Sequence, residues 1–251
     1  MINKFFSIIS VVRNNENTIQ KMINSVKNQS FKNYEHVICK SDKSIDNTNN
    51  ILELQNDSKL KIIKEEKKNK NRYSALNTAI KYSEGKFIIL LHGDDFLFNK
   101  NILEDIYQII IKEENKHIFY CGIKFINTKN KIVREWSPPD IEKIKLHNIW
   151  MIPHTGLVLR KSFLKNNIYY NTHYNISSDL DYILKLQKKY SQYFFKINIF
   201  MTIMLNTGDS SKLSNAIEQS VQDFQILKKY FGFKAIFHLI LKKINKITQF
   251  L

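Results

Sequence analysis

The chain has 251 residues, with 39 Lys and Arg against 23 Asp and Glu, giving a formal net charge of +16 at pH 7. A hydrophobic fraction of 43% and an aromatic fraction of 12% exclude a disordered basic tail, and the length suffices to bury a real core. None of the six glycines is spaced as G-x-G-x-x-G or G-x-x-x-x-G-K-[ST], which excludes a dinucleotide fingerprint and a P-loop.

Phe5–Val12 is a short apolar run suited to a buried strand, and the polar Arg13–Asn17 follows it. Ile19, Met22, Ile23 and Val26 then recur at helical spacing. Glu35–Cys39 reads as a second strand, Asp46–Leu54 as a second helix and Leu60–Ile63 as a third strand. Ala75, Leu76, Ala79 and Ile80 mark a third helix, with Glu84-Gly85 expected to close it as a glycine C-cap. Phe87–Leu91 is a fourth strand free of charge. This alternation predicts an α/β fold with a doubly wound, mostly parallel sheet and right-handed crossovers. Ligands bind such sheets outside the carboxyl ends of the strands, where the polar loops Arg13–Asn17, Lys40–Thr48 and His92–Asp95 converge.

The second half is less regular. Ile102, Leu103, Ile106, Ile109 and Ile110 form a helical stripe, and Ile118–Phe125 with Lys131–Arg134 reads as a hairpin. Pro138-Pro139 breaks the chain, Leu157–Arg160 suits a strand, and Asp179–Leu186 and Asn215–Tyr230 suit helices. In the tail, Ile236, Phe237, Ile240, Leu241, Ile244 and Ile247 share one stripe among lysines. That tail has two open readings of equal weight: packing on the domain, or lying on an anionic bilayer. Cys39 and Cys121 sit in apolar runs and are expected to be buried free thiols, the usage of a reducing cytoplasm. The N-terminus shows no signal-peptide pattern, and no run approaches the roughly 18 apolar residues of a spanning helix. A cytoplasmic protein, soluble or on a membrane surface, is the expectation.

Leu91-His92-Gly93-Asp94-Asp95 is the strongest chemical signal. Adjacent carboxylates repel unless a cation or a donor offsets them, and Asp oxygens are hard ligands suited to Mg²⁺ or Mn²⁺. Neighbouring side chains of an extended stretch point opposite ways, so one Asp can hold a metal while the other bonds a sugar hydroxyl. An ordinary Gly-Asp turn fits the same residues.

Their surroundings resemble a known family. Asn69–Asp95 places Tyr73, Ala75, Asn77, Gly85, Asp94 and Asp95 as in family 2 glycosyltransferases with the GT-A fold, of the bacterial surface-glycan type. Phe6–Glu16 and Ser25–Glu35 are similar to the opening of that family, as are Pro153-His154, Leu159–Lys161, Ile176–Asp181 and Met204–Ser210 to its later blocks. The likeness covers most of residues 5–230 in the correct order.

The resemblance implies a single GT-A domain over residues 1–230, with a nucleotide-sugar-binding half at 1–95, an acceptor-side half at 96–230 and an appended tail at 231–251. It implies an inverting hexosyltransferase that uses a UDP-sugar and a saccharide or lipid-linked acceptor in surface-polysaccharide (lipopolysaccharide or capsule) biosynthesis. Val12, Asn14, Glu16, Asp42, Asp46, Tyr73, Asn77 and Asp94 would bind the nucleotide-sugar, and Asp95 the Mn²⁺ or Mg²⁺. Asp179 would be the general base, with Asp181 as its substitute, and His92 and His154 would orient donor or acceptor. The Cys39–Thr48 loop lacks the family's glycines, and Asn71, Ser74, His92 and Thr207 replace its frequent Gly, Asp, Asn and Gly. Two other readings compete. A sugar nucleotidyltransferase would want a glycine-rich first loop, which Phe5–Asn17 is not, and a basic nucleic-acid-binding module would want a recognition helix or aromatic platform. Nucleic acid is therefore not an expected partner.

Overall fold

The computed structural model describes residues 4–66, 71–141, 151–166, 169–205 and 213–247. The first half follows the expected alternation: β1 (Phe6–Val12), α1 (Ile19–Lys27), β2 (Tyr34–Lys40), α2 (Thr48–Glu53), β3 (Leu60–Lys64), α3 (Arg72–Tyr82) and β4 (Phe87–Leu90). β1 pairs in parallel with β2 and β4, and β2 with β3. Side chains alternate across this sheet. Phe6, Ile8, Phe87 and Ile89 enter one apolar cluster, while Ile9, Ile88 and Leu90 enter the cluster on the other face. The helices cover both faces: α1 buries Met22 and Val26 in the first cluster, and α3 buries Leu76 and Ala79 in the second.

The chain continues through β5 (Asp95–Leu97), α4 (Ile102–Ile110), β6 (Ile118–Ile126), β7 (Ile132–Trp136), β8 (Leu157–Arg160), α5 (Ser178–Tyr190), β9 (Phe194–Leu205), α6 (Leu213–Phe231) and α7 (Ala235–Ile247). All nine strands form one sheet in the order β3-β2-β1-β4-β8-β6-β9-β5, with β7 paired to β6. β8 lies antiparallel between β4 and β6, so β6 and β9 regain the direction of β1–β4. Among the described residues, only β5, β7 and β8 run against it. The sheet is therefore mostly parallel, with its reversals gathered in the second half. β9 and β5 are additions to the expected elements. Their pairing matters because it fixes Asp95, the first residue of β5, opposite Met204.

Gly85 departs from its expected role. α3 ends at Tyr82 and Ser83 is extended, while the positive-φ glycine among the described residues is Gly232. Gly85 is needed for close approach instead: a Cβ there would stand 2.5 Å from the Ser7 amide nitrogen and 2.6 Å from the Phe6 carbonyl carbon. The Gly85 amide donates to Ser7 Oγ at 2.7 Å, and Ser7 Oγ in turn donates to the buried Glu35, which also accepts from the Glu84 amide. Cys39 and Cys121 are buried and free, as expected. The tail packs on the domain through one side of α7, and its other side is exposed. Ala235 and His238 are buried and Lys242 pairs with Asp223 at 2.7 Å, whereas Ile236, Phe237, Ile240 and Ile244 remain exposed.

Candidate active site

The loops that follow β1, β2 and β4 are bonded into one unit. The Ser41 amide donates to the Val12 carbonyl at 3.1 Å, continuing the β1–β2 ladder beyond the strands. Asn14, in the left-handed region at φ 55, accepts from the Ile45 amide at 2.9 Å. Glu16 and Asp46 exchange supports: the Asn47 amide donates to Glu16 Oε2 at 3.0 Å and the Glu16 amide to Asp46 Oδ2 at 3.0 Å. Desolvation is the largest single influence on Asp46 and opposes its charge, but the hydrogen bonds from Thr48 and Glu16 together outweigh it and hold the carboxyl below its ordinary range. Thr18 Oγ1 reaches the Gly93 carbonyl at 2.8 Å, and a Cβ on Gly93 would lie 2.5 Å from Asn15 Oδ1. Asp42 lies on the same rim and is exposed.

At the centre stands Asp95, wholly buried. Its Oδ2 accepts from the His92 amide at 3.3 Å, and its Oδ1 has no hydrogen-bond partner among the described residues. Burial, reinforced by the Asp94 charge, pushes the Asp95 carboxyl well above the usual carboxylate range. Burial raises Asp94 as well, with Arg72 acting against it. An orphaned, charge-resisting carboxylate oxygen beside a second carboxylate fits a small divalent cation. Such ions bind through one or two carboxylates and complete their shell with substrate phosphates and water. Among the described residues no group of three His, Cys, Asp or Glu could hold a metal alone.

A chain of side chains leads away from this centre. His92 Nε2 lies 3.0 Å from His154 Nε2, and His154 Nδ1 lies 3.5 Å from Asp179 Oδ2. With Nδ1–H facing the carboxylate, His154 Nε2 is the acceptor and His92 Nε2–H the donor, a tautomer assignment made from partners. The Tyr73 hydroxyl touches Asp179 Oδ1 at 3.4 Å and bonds the Ile176 carbonyl. Asp179 opens α5, where a carboxylate gains from the helix dipole, and keeps an exposed edge. The structure thus brings His92, Asp94, Asp95, His154, Tyr73 and Asp179 together.

It does not bring Asn77 or Asp181 into that group. Asn77 clamps the backbone of Tyr170 with two bonds of 2.9 Å. Asp181 is wholly buried between helices, paired with Lys185 at 2.7 Å and Lys229 at 3.0 Å and bonded by the Tyr230 hydroxyl at 3.1 Å. Residues 142–150 of the Trp136–Trp150 segment and most of the Met204–Ser210 loop lie outside the described residues. The sequence reading missed Arg72. It is exposed at the start of α3, and its charge acts on Asp94, His92 and His154 together. A lone arginine before a helix carries no distinguishing pattern; only the fold sets it near Asp94 and the two histidines.

The buried histidines set the response to acid. Burial lowers His36 to about 3, against the opposing charge of Asp57. Burial likewise lowers His92 and His154. Each is neutral when folded and takes a proton on unfolding below about pH 6.5, so its stabilisation is complete above that pH and drains as pH falls. Asp94 and Asp95, raised when folded, work in the opposite sense over part of the window. Burial lowers His117 too, so four histidines stand against two aspartates and stability is expected to fall as pH drops below about 6.5. Urea unfolding midpoints at successive pH values measure it; a midpoint that holds or rises between pH 6.5 and 5 contradicts the neutral, buried histidines.

Comparison with known proteins places this arrangement in a family. Residues 7–179 match Glycosyl transferase family 2. Over 133 residues the chain is 36% identical to the UDP-Glc:alpha-D-GlcNAc-diphosphoundecaprenol beta-1,3-glucosyltransferase WfgD of Escherichia coli, covering 53% of this chain and 51% of that protein. It is 28% identical over 167 residues to a second enzyme of that description, WfaP of Escherichia coli, covering 64% and 62%. The chain thus spans less than two thirds of these relatives. Among solved structures, Staphylococcus aureus TarS 1-349 in complex with UDP-GlcNAc matches with a TM-score of 0.69 and 22% identity over 89% of this chain and 65% of that one. A mannosyltransferase from Pyrobaculum calidifontis in complex with GDP-Man and Mn2+ matches with a TM-score of 0.62 and 15% identity, covering 93% and 68%. These likenesses show a GT-A fold, and the family match extends from the second residue of β1 to the Asp179 carboxylate: the chain belongs to glycosyl transferase family 2.

Proposed function

We propose that this chain transfers a sugar, with inversion and in a metal-dependent manner, from a UDP-sugar to a saccharide or lipid-linked acceptor in surface-polysaccharide biosynthesis. The observation that carries the reading is the continuous contact from Asp179 through His154 to His92, whose amide bonds Asp95. A base for an incoming hydroxyl and carboxylates for a leaving diphosphate belong at the two ends of one in-line displacement, and this chain joins them. The relatives WfgD and WfaP are named for UDP-Glc and for a diphosphoundecaprenol acceptor, and TarS was solved with UDP-GlcNAc. These names support a UDP donor and a lipid-linked acceptor; in this reading the two meet at the cytoplasmic face of the inner membrane.

In this reading the loops of Val12, Asn14, Glu16, Asp42 and Asp46 form the nucleoside rim, and Asp94 bonds the ribose or donor sugar. Arg72 faces the diphosphate. Tyr73 and Asn77 act through others, Tyr73 by bracing Asp179 and Asn77 by fixing the Tyr170 backbone. Asp95 would hold a Mn²⁺ or Mg²⁺ ion, which would supply positive charge to the departing nucleotide. Asp179 accepts the proton of the acceptor hydroxyl as the oxygen attacks the anomeric carbon opposite the leaving group, which inverts that carbon. His154 holds the carboxylate in place, and Asp181 keeps a structural role between α5 and α6.

Thermal unfolding with UDP, GDP, ADP and CDP, each with and without Mn²⁺, tests this. Ligand at a hundredfold excess over Kd stabilises the native state by about 2.7 kcal/mol, so a Mn²⁺-dependent rise with UDP alone is expected. No rise with any nucleotide overturns the donor site, and a GDP-specific rise overturns the base. Arg72→Ala is expected to weaken UDP binding about 10–100-fold, the worth of a charge-assisted contact; unchanged affinity removes Arg72 from the site.

A further inference from the structure

α7 is apolar on two sides. Its inward side packs Ala235, His238, Leu239 and Leu241 on the core. Its outward side, with Phe233 just before it, leaves Phe233, Ile236, Phe237, Ile240 and Ile244 between 50% and 91% exposed. Ile217 and Val221 of α6 are exposed too, and with Phe224 and Lys243 they line a groove of about 560 Å³. A helix needs one apolar stripe to dock on its own domain; the second stripe is unexplained by folding, and a contiguous exposed patch of this kind marks an interaction surface.

Charge identifies the occupant. Leu213–Ile247 carries six lysines against two acids, Glu218 and Asp223. Asp223 is buried and paired with Lys242, whereas Lys228, Lys229, Lys234 and Lys243 are exposed. A second copy of this chain would bring +16 against +16 with its own lysines in register, an arrangement that repels. A surface of acyl chains beneath anionic headgroups satisfies both the isoleucines and the lysines. We propose that the outward face of α6 and α7, centred on Phe237 and Ile240, docks on an anionic lipid bilayer. This surface is independent of the donor site and goes beyond the sugar-transfer reading.

The docking also orients the chemistry. α6 is bonded to the entry of α5, because Gln222 Oε1 accepts from the Ile176 and Ser177 amides at 3.0 and 3.2 Å. Lys229 and Tyr230 hold Asp181, two residues beyond Asp179. A bilayer under α6 and α7 therefore sits at a fixed distance from the base.

Co-sedimentation of the full chain with vesicles of phosphatidylglycerol and phosphatidylcholine, or of phosphatidylcholine alone, tests the proposal. Binding is expected to the anionic vesicles and to weaken with salt. Phe237→Ser and Ile240→Ser are each expected to reduce it about tenfold, and Lys243→Gln about fivefold. All three positions are exposed, and the Mn²⁺-dependent UDP response in each variant reports an intact fold. Wild-type vesicle affinity in Phe237→Ser and Ile240→Ser overturns the proposal. So does a stable dimer, seen by light scattering, that these substitutions dissociate, since the face then belongs to a second copy. Vesicle binding without any nucleotide response leaves the docking face standing and fails the donor reading alone.

Discussion

Asp179→Asn is expected to slow sugar transfer by about 10²–10⁴-fold, the range for loss of a positioned general base, while UDP binding stays within about twofold of wild type. The separation follows from position. Asp179 keeps an exposed edge, so an acceptor hydroxyl can reach it, and its contacts are Tyr73 and His154 rather than a lysine that would hold its charge. Asp181→Asn supplies the contrast. That carboxylate has no exposed surface and is shared by Lys185, Lys229 and Tyr230. Its loss is expected to cost about 1–3 kcal/mol of stability and to leave the turnover of the folded fraction near wild type. Single-turnover rates beside urea midpoints for the two variants decide the matter, and a reversal of the two outcomes moves the base to Asp181.

Asp95→Asn is expected to do two opposite things. Transfer falls by about 10²–10³-fold or more as the leaving nucleotide loses its charge stabilisation, and the Mn²⁺-dependent UDP response disappears. The metal-free protein, however, becomes more stable. The folded Asp95 carboxyl is held well above its ordinary range by burial first and by Asp94 second. Such a group contributes stability at low pH that is lost as pH rises from the unfolded value through the folded one. Asn carries no charge to desolvate, so the variant escapes that loss. Melting in chelator at pH 8 should place Asp95→Asn above wild type, by about 2–4 °C for each kcal/mol relieved, with the gap closing toward pH 4. A variant less stable than wild type at pH 8 contradicts the strained carboxylate, and one with full activity removes Asp95 from the metal site.

The parts legible in the sequence were those written in local pattern. The strand and helix runs from Phe5 to Leu91 alternate cleanly, and β1–β4 pair as that alternation requires. β9 escaped because Phe194–Leu205 mixes an apolar run with Lys196 and Asn198, and its 12 residues are twice a usual strand. Its identity comes from pairing with β6, which no local pattern encodes. β5, with three residues, is too short to have a period. The site divides in the same way. Asp94, Asp95 and Asp179 stood out by their neighbours in sequence, but the separation of Asp179 from Asp181 rests on Lys229 and Tyr230, 48 and 49 residues away from Asp181. Gly85 was read as a cap because glycine closes helices often; the reason for it lies across the sheet at Ser7.

The bonding of α6 to α5 bears on how this chain can change over time. The family match runs from residue 7 to residue 179, yet Gln222, Lys229 and Tyr230 brace the entry and first turn of α5 from outside that span. The placement of Asp179 is thus tied to residues outside the matched span. A substitution on the side of α6 that faces α5 therefore acts on the surroundings of Asp179 from far along the chain.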